Sequence, residues 1–290
     1  MSNTDGVQGS RFSLSFILRF VTLCAPVAPL PMPTGAAMLV VGHPGHELRV
    51  HGWLEHTRPL VMVLTDGSGH AGIPRLASTT NVLARAGARS GAIFGNLTDA
   101  ALYRALLDRR STVFTSMAET IADAIVTHDI QLVVGDDAEG FNPTHDVCRL
   151  VVDTAVRMAR HRSAPAITNL AFALMETPDP SPRREDVWSS TIELSDAALQ
   201  RKLQAALDYP EMAAEVAAAR ARWHDEAFRF ETFRHVGADE VWAPAEGRPY
   251  YEQYGAERVR DGAYPEVIEY DRHMLPVVDA LAASALRQAS

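Results

Sequence analysis

Short apolar runs alternate with helix-period stretches from Gly35 onward, and this alternation constrains the fold more than any other feature. The strand candidates are Met38–Gly42, Leu60–Thr65, Gly91–Phe94, Leu132–Gly135 and Ala166–Ala171. Between them, Met117, Ile121, Ala124 and Ile125 fall at i, i+4, i+7 and i+8, on one helix face. Val147, Leu150, Val151, Ala155 and Met158 repeat the pattern after His145. Strands separated by helices cannot pair as hairpins. They read as a mostly parallel sheet, with the crossover helices covering both faces.

The expected fold class is therefore α/β, a Rossmann-like and mostly parallel sheet with helices on both faces. A helical or irregular C-terminal segment follows. Residues 193–231 are helix-rich, with Ser195 as a helix N-cap. Residues 237–276 carry Trp242, Tyr250, Tyr251, Tyr254, Tyr264 and Tyr270. That stretch reads as a lid, an oligomer contact or a surface layer. The expected division is an N-terminal extension over 1–35, an α/β domain over 36–235 and an aromatic-rich segment over 236–290 packing on the domain.

The N-terminal apolar run is loosely signal-like, but Arg19 interrupts it and Phe20 to Ala25 is too short to span a bilayer. Pro26, Pro29, Pro31 and Pro33 make a stiff linker, so residues 1–34 are expected to lie outside the core. Two cysteines, Cys24 and Cys148, without a CxxC pair argue against a disulfide framework and fit a reducing cytoplasm. A net charge of −9 with no basic stripe excludes nucleic acid as the expected partner.

Chemistry in such sheets sits beyond the strand C-termini, which selects the loops 42–47, 65–74 and 135–145. The first contains His43, Pro44, Gly45, His46 and Glu47. If a helix begins near Pro44, His43 and His46 turn toward one point. Catalytic zinc takes three protein ligands and keeps one position open. A third ligand would come from the 135–145 loop, which offers Asp136, Asp137, Glu139, His145 and Asp146. On spacing alone two readings stay open: a metal site, or strand-end histidines in ordinary hydrogen bonds. Gly67 to Gly72 matches GxGxxG, yet no acid stands where a dinucleotide site needs one. The plain reading there is a flexible glycine loop that lets backbone approach a ligand.

Three ordered blocks resemble the PIG-L/LmbE family of zinc-dependent de-N-acetylases over roughly residues 36 to 175. Gly42-His43-Pro44-Gly45-His46-Glu47 matches the family's A-H-P-D-D-E, with Gly52 at a family glycine. Thr65-Asp66-Gly67 matches T-D-G, and Arg75 with Ser78 stands at the family's Arg-x-x-Glu. Asn142-Pro143-Thr144-His145 matches H-P-D-H. The resemblance implies metal ligands His43, His46 and His145 for Zn²⁺ or another divalent metal, with an imidazole replacing a family carboxylate at 46. It implies substrate binding by Arg75, and by Asn142 at the position of a family histidine.

The family's general base falls on Gly45, which has no side chain. Glu47, Asp66 and Asp146 are then the catalytic candidates by loop position. The implied activity is a zinc hydrolase that removes an N-acyl group from an amino sugar or related amide. The alternative is a non-catalytic metal- or sugar-binding relative of the same fold. Restoring a carboxylate with Gly45→Asp is expected to raise deacetylation.

Overall fold

A computed structural model of the chain describes residues 35–69, 72–162, 166–176, 178, 189–238, 240 and 248–287. Residues 1–34, read from sequence as an extension, lie outside the described residues. The first half runs β1 (Ala36–Val41), a 3-10 turn (His46–Val50), α1 (His51–Thr57), β2 (Leu60–Thr65), α2 (Leu76–Ala86), β3 (Arg89–Leu97), α3 (Asp99–Leu107) and α4 (Ser111–Thr127). Then come β4 (Ile130–Asp136), α5 (Pro143–Arg162), β5 (Thr168–Phe172), β6 (Ser189–Glu193) and α6 (Asp196–Leu207). A 3-10 turn (Pro210–Met212), α7 (Ala213–Ala227), β7 (Phe230–His235), α8 (Tyr250–Arg260) and α9 (Leu275–Arg287) complete it.

The seven strands form one sheet in the order β3-β2-β1-β4-β5-β7-β6. β1 to β5 pair in parallel, while β7 runs antiparallel to both β5 and β6. The sheet is thus mostly parallel, as its alternating pattern requires. Successive side chains point to opposite faces. In β1, Met38 and Val40 enter one core with α4, α5 and α9; Ala37, Leu39 and Val41 enter the other with α1 and α2. Val277, Val278 and Leu281 of α9 pack into the first core. Among the described residues no helix is long and apolar enough to cross a membrane.

Two expectations need correction. No helix starts at Pro44: Gly45 adopts φ 104°, and a 3-10 turn begins only at His46. The left-handed glycine breaks the helical path there. The helix-rich reading of 193–231 holds for α6, where the Ser195 hydroxyl accepts the Ala198 N–H, and for α7. The last residues of that stretch, however, enter β7.

Candidate functional site

Strand order reverses between β1 and β4, so the chain leaves these two neighbours in opposite directions and opens a crevice at their C-terminal ends. Val40 pairs with Gly135, one residue before each strand end. The loop after β1 carries His43 and His46; the loop after β4 leads into α5, whose first turn carries His145. The topology therefore brings together the three histidines that the sequence singled out. Their ring centroids lie 5.2 Å (His43–His46), 5.4 Å (His43–His145) and 4.7 Å (His46–His145) apart.

Carboxylates orient two of the rings. His43 Nδ1 lies 3.0 Å from Asp99 Oδ1 and 2.9 Å from Thr65 Oγ1, and the Thr65 hydroxyl donates to the Gly42 carbonyl. His46 Nδ1 lies 2.8 Å from Asp136 Oδ2, which also accepts the Gly42 N–H at 2.7 Å. An ionised carboxylate only accepts, so Nδ1 of each ring is the donor in its pair, which leaves Nε2 as the nitrogen turned away from the carboxylate. Burial, the largest influence on Asp99, would raise its carboxyl. Its contacts to His43, Thr65 and the Gly69 N–H outweigh that and hold it at about 2. Burial, then the neighbouring His46 and His43, push His145 well below its ordinary value and keep it neutral. His145 Nδ1 is buried with no partner among the described residues.

Among the described residues, no three His, Cys, Asp or Glu side chains hold their donor atoms, as they stand, in a metal-binding arrangement. The ring centres say otherwise. Three imidazoles around a tetrahedral zinc, at Zn–N about 2.0–2.1 Å, separate their centroids by about 5.2 Å. Donor direction follows histidine χ2, a soft torsion. The carboxylates hold His43 and His46, whereas His145 Nδ1 has no partner among the described residues, so His145 is the ring whose donor can be redirected. Neutral imidazole with a carboxylate behind it is also the donor chemistry that metal-bound histidines use. In residue type and ring spacing the three histidines suit a divalent metal; their donor directions as they stand do not form a site.

The other predicted residues separate by access. Glu47 is fully buried, and its Oε2 accepts the Gly45 N–H at 2.7 Å. Burial pushes its carboxyl up to about 7. Asp146 is also fully buried; its Oδ1 accepts the Glu139 and Gly140 N–H groups, and burial raises it to about 7. Asp66 Oδ1 accepts the Ser68 N–H, while its second oxygen has no hydrogen bond among the described residues. Arg75 pairs with Glu215 at 3.2 Å. Asn142 Oδ1 accepts the Thr144 N–H and the Tyr103 hydroxyl, which shapes the start of α5. Asp137 turns away to a two-pronged pair with Arg234 of β7.

Sequence reasoning missed Asp99 and Met212. Asp99 opens α3 behind the Thr98 cap, and no motif marks it. Met212 reaches the site because Tyr209 and Glu211 fasten its turn: the Tyr209 hydroxyl meets Thr79, and Ser78 donates to Glu211. Ser78, which replaces a family acid, thus meets a carboxylate supplied from elsewhere. Gly67 permits a close approach: a Cβ there would stand 2.8 Å from Pro44 Cδ. In the same loop the Gly69 N–H donates to Asp99 Oδ2, so this glycine run serves the histidine corner.

Solved deacetylases share this fold. The zinc-inhibited form of teicoplanin deacetylase Orf2 matches with a TM-score of 0.51 at 15% identity, over 71% of this chain and 100% of that one. A deacetylase–teicoplanin complex from the teicoplanin biosynthesis pathway gives 0.50 and 15% over the same shares. No family model matches the sequence, and the comparison with curated proteins gave no match. At this identity the likeness establishes the fold: the chain is built as these deacetylases are.

Proposed function

We propose that the chain is a metal-dependent hydrolase of the deacetylase type, acting on the N-acyl group of an amino sugar or related amide. The observation that carries this is the convergence of His43, His46 and His145, with two rings backed by carboxylates. The shared fold and the resemblance to the PIG-L/LmbE family support it. These three residues would hold zinc or another divalent metal. When bound, the metal supplies Lewis-acid polarisation and a water of lowered pKa.

Asp99 and Asp136 hold the imidazoles in the Nδ1–H form. Arg75, whose side chain passes beside Gly67 and pairs with Glu215, would meet an anionic or polar substrate group on release from that pair. Asp66 is the working base in this reading, because it keeps 7% exposure and its Oδ2 has no hydrogen bond among the described residues, whereas Glu47 and Asp146 are fully buried. A reducing cytoplasm, inferred from cysteine usage, belongs to the same reading.

One observation favours a second reading, a non-catalytic relative that binds metal or sugar. The family base position is Gly45, and Met212 occupies the space beside it. Elemental analysis and a panel of N-acetylated amino sugars separate the two. The hydrolase reading expects stoichiometric metal and turnover in the wild type. It expects loss of both in His145→Ala, and loss of turnover by about 10²–10⁴-fold with metal retained in Asp66→Asn. Metal without turnover on any substrate supports the second reading. Equal metal content in wild type and His145→Ala defeats both metal assignments.

A further inference from the structure

Phe141, Tyr250 and Tyr254 form a run of stacked rings on the surface. Phe141 and Tyr250 lie 5.1 Å apart and 8° from parallel; Tyr250 and Tyr254 lie 6.2 Å apart at 22°. Their exposures are 38%, 48% and 42% respectively. A face-to-face column would bury its middle ring. Here the middle ring, Tyr250, is the most exposed, so the stack is offset and its steps face solvent. Single exposed aromatics need no explanation, but three in contact form a patch that calls for an occupant.

The patch begins four residues before His145, on the loop that leads into α5. Phe141 immediately precedes Asn142, whose carbonyl accepts the His145 N–H at 3.1 Å. The four residues from Phe141 to His145 span at most about 14 Å. The Tyr251 N–H donates to the Gly140 carbonyl, which fixes the start of α8 against this loop. Tyr251 itself is buried beneath.

We propose that Phe141, Tyr250 and Tyr254 are the subsite for a second sugar ring, joined to the N-acylated ring that meets the histidines. This rests on the hydrolase reading for what lies beside it. Aromatic faces take the aliphatic C–H face of a pyranose, while tyrosine hydroxyls stay in water beside the sugar hydroxyls. Size argues for a small ligand: three half-exposed rings offer on the order of 300 Å². A protein partner needs about 800 Å² on each side. An acyl chain would call for an enclosed apolar channel, and this stair is open. The substrate is accordingly an N-acylated sugar carrying at least one further ring, and a free monosaccharide is a poor ligand.

The test is titration calorimetry on the full chain with N,N′-diacetylchitobiose and with N-acetylglucosamine as probes. The wild type binds the disaccharide about fivefold to tenfold more tightly than the monosaccharide. Tyr250→Ala and Tyr254→Ala remove that preference with the melting temperature kept, and Tyr250→Phe retains it. Binding is read without turnover, so a chain that shows the preference but hydrolyses nothing keeps the stair and loses the hydrolase reading. Turnover of the disaccharide that Tyr250→Ala leaves unchanged overturns the stair and keeps the hydrolase. No preference in the wild type overturns the stair, as does a change from dimer to monomer in Tyr250→Ala without any change in sugar binding.

Discussion

The sulfur of Met212 stands where a side chain on residue 45 would begin. A Cβ built on Gly45 would lie 1.9 Å from Met212 Sδ, and Gly45 holds φ 104°, a backbone conformation that L side chains rarely adopt. The position that carries a base in the resembling family is therefore closed twice, by backbone and by packing.

This changes the expectation for restoring the carboxylate. Gly45→Asp alone costs about 1–3 kcal/mol of stability through the left-handed backbone, and more through the thioether. It does not raise deacetylation. Gly45→Asp with Met212→Ala gives the carboxylate room, recovers part of the stability and raises turnover above wild type. Urea denaturation and deacetylation of an N-acetylglucosaminide read the two effects. A single variant as stable as wild type, and faster, would show that Met212 is no obstacle.

In the proposed metal site Asp99 and Asp136 would act through the rings they hold. Partners of this kind typically contribute 10–100-fold to metal affinity. Asp99→Asn and Asp136→Asn each lower zinc affinity by about that factor in a chelator competition. Asp153→Asn, which breaks the buried Arg149 pair elsewhere in the fold, lowers stability without changing zinc affinity. Unchanged zinc affinity in both Asp99→Asn and Asp136→Asn would sink this role.

What was legible follows from what is local. Leu60–Thr65 reads as a strand because six apolar or β-prone residues sit between turn signals, and it is β2 to the residue. His43, His46 and His145 were legible because strand ends in a parallel sheet converge by topology. Asp136 was visible only as one of two strand-end acids; burial against His46 distinguishes it from Asp137. Asp99 lies 56 residues from His43, and Met212 lies 167 from Gly45, and neither contact leaves a pattern in spacing. β7 escaped because Phe230–His235 follows a run of strong helix formers. Its apolar residues, Phe230 and Phe233, are three apart and lack the strand period.

Glu231 tests a different part of the fold. It is buried in β7 and accepts the Gly52 and Trp53 N–H groups at the start of α1, with Lys202 Nζ at 2.8 Å. Burial pulls the Lys202 ammonium below its ordinary value, and Glu231 opposes that. Removing the acid leaves a buried cation and two unpaired donors. Glu231→Ala should cost about 3–5 kcal/mol in chemical denaturation. Lys202→Met, which leaves the helix donors paired, should cost less. Equal losses would mean that the helix-end hydrogen bonds contribute nothing separate.

Glu139 gives the stability of the chain a pH dependence with a definite sign. Burial is the main cause that lifts its carboxyl from 4.5 to about 7, with the nearby Asp137 and Glu176 adding to it. The Leu174 and Met175 N–H groups, which its carboxylate accepts, pull the other way without winning. The folded state thus holds the proton more tightly than the unfolded chain. Stability from this group is fully present below pH 4.5 and is lost as pH rises through about 7. Glu139→Gln removes the titration while keeping an acceptor for one of the two amides. The stability of wild type minus that of Glu139→Gln should therefore fall by about 1–3 kcal/mol between pH 5 and pH 8. Urea midpoints at the two pH values measure it. A difference that stays constant, or grows with pH, would show that the carboxylate is the form the fold prefers, held by the two amides against the cost of burial.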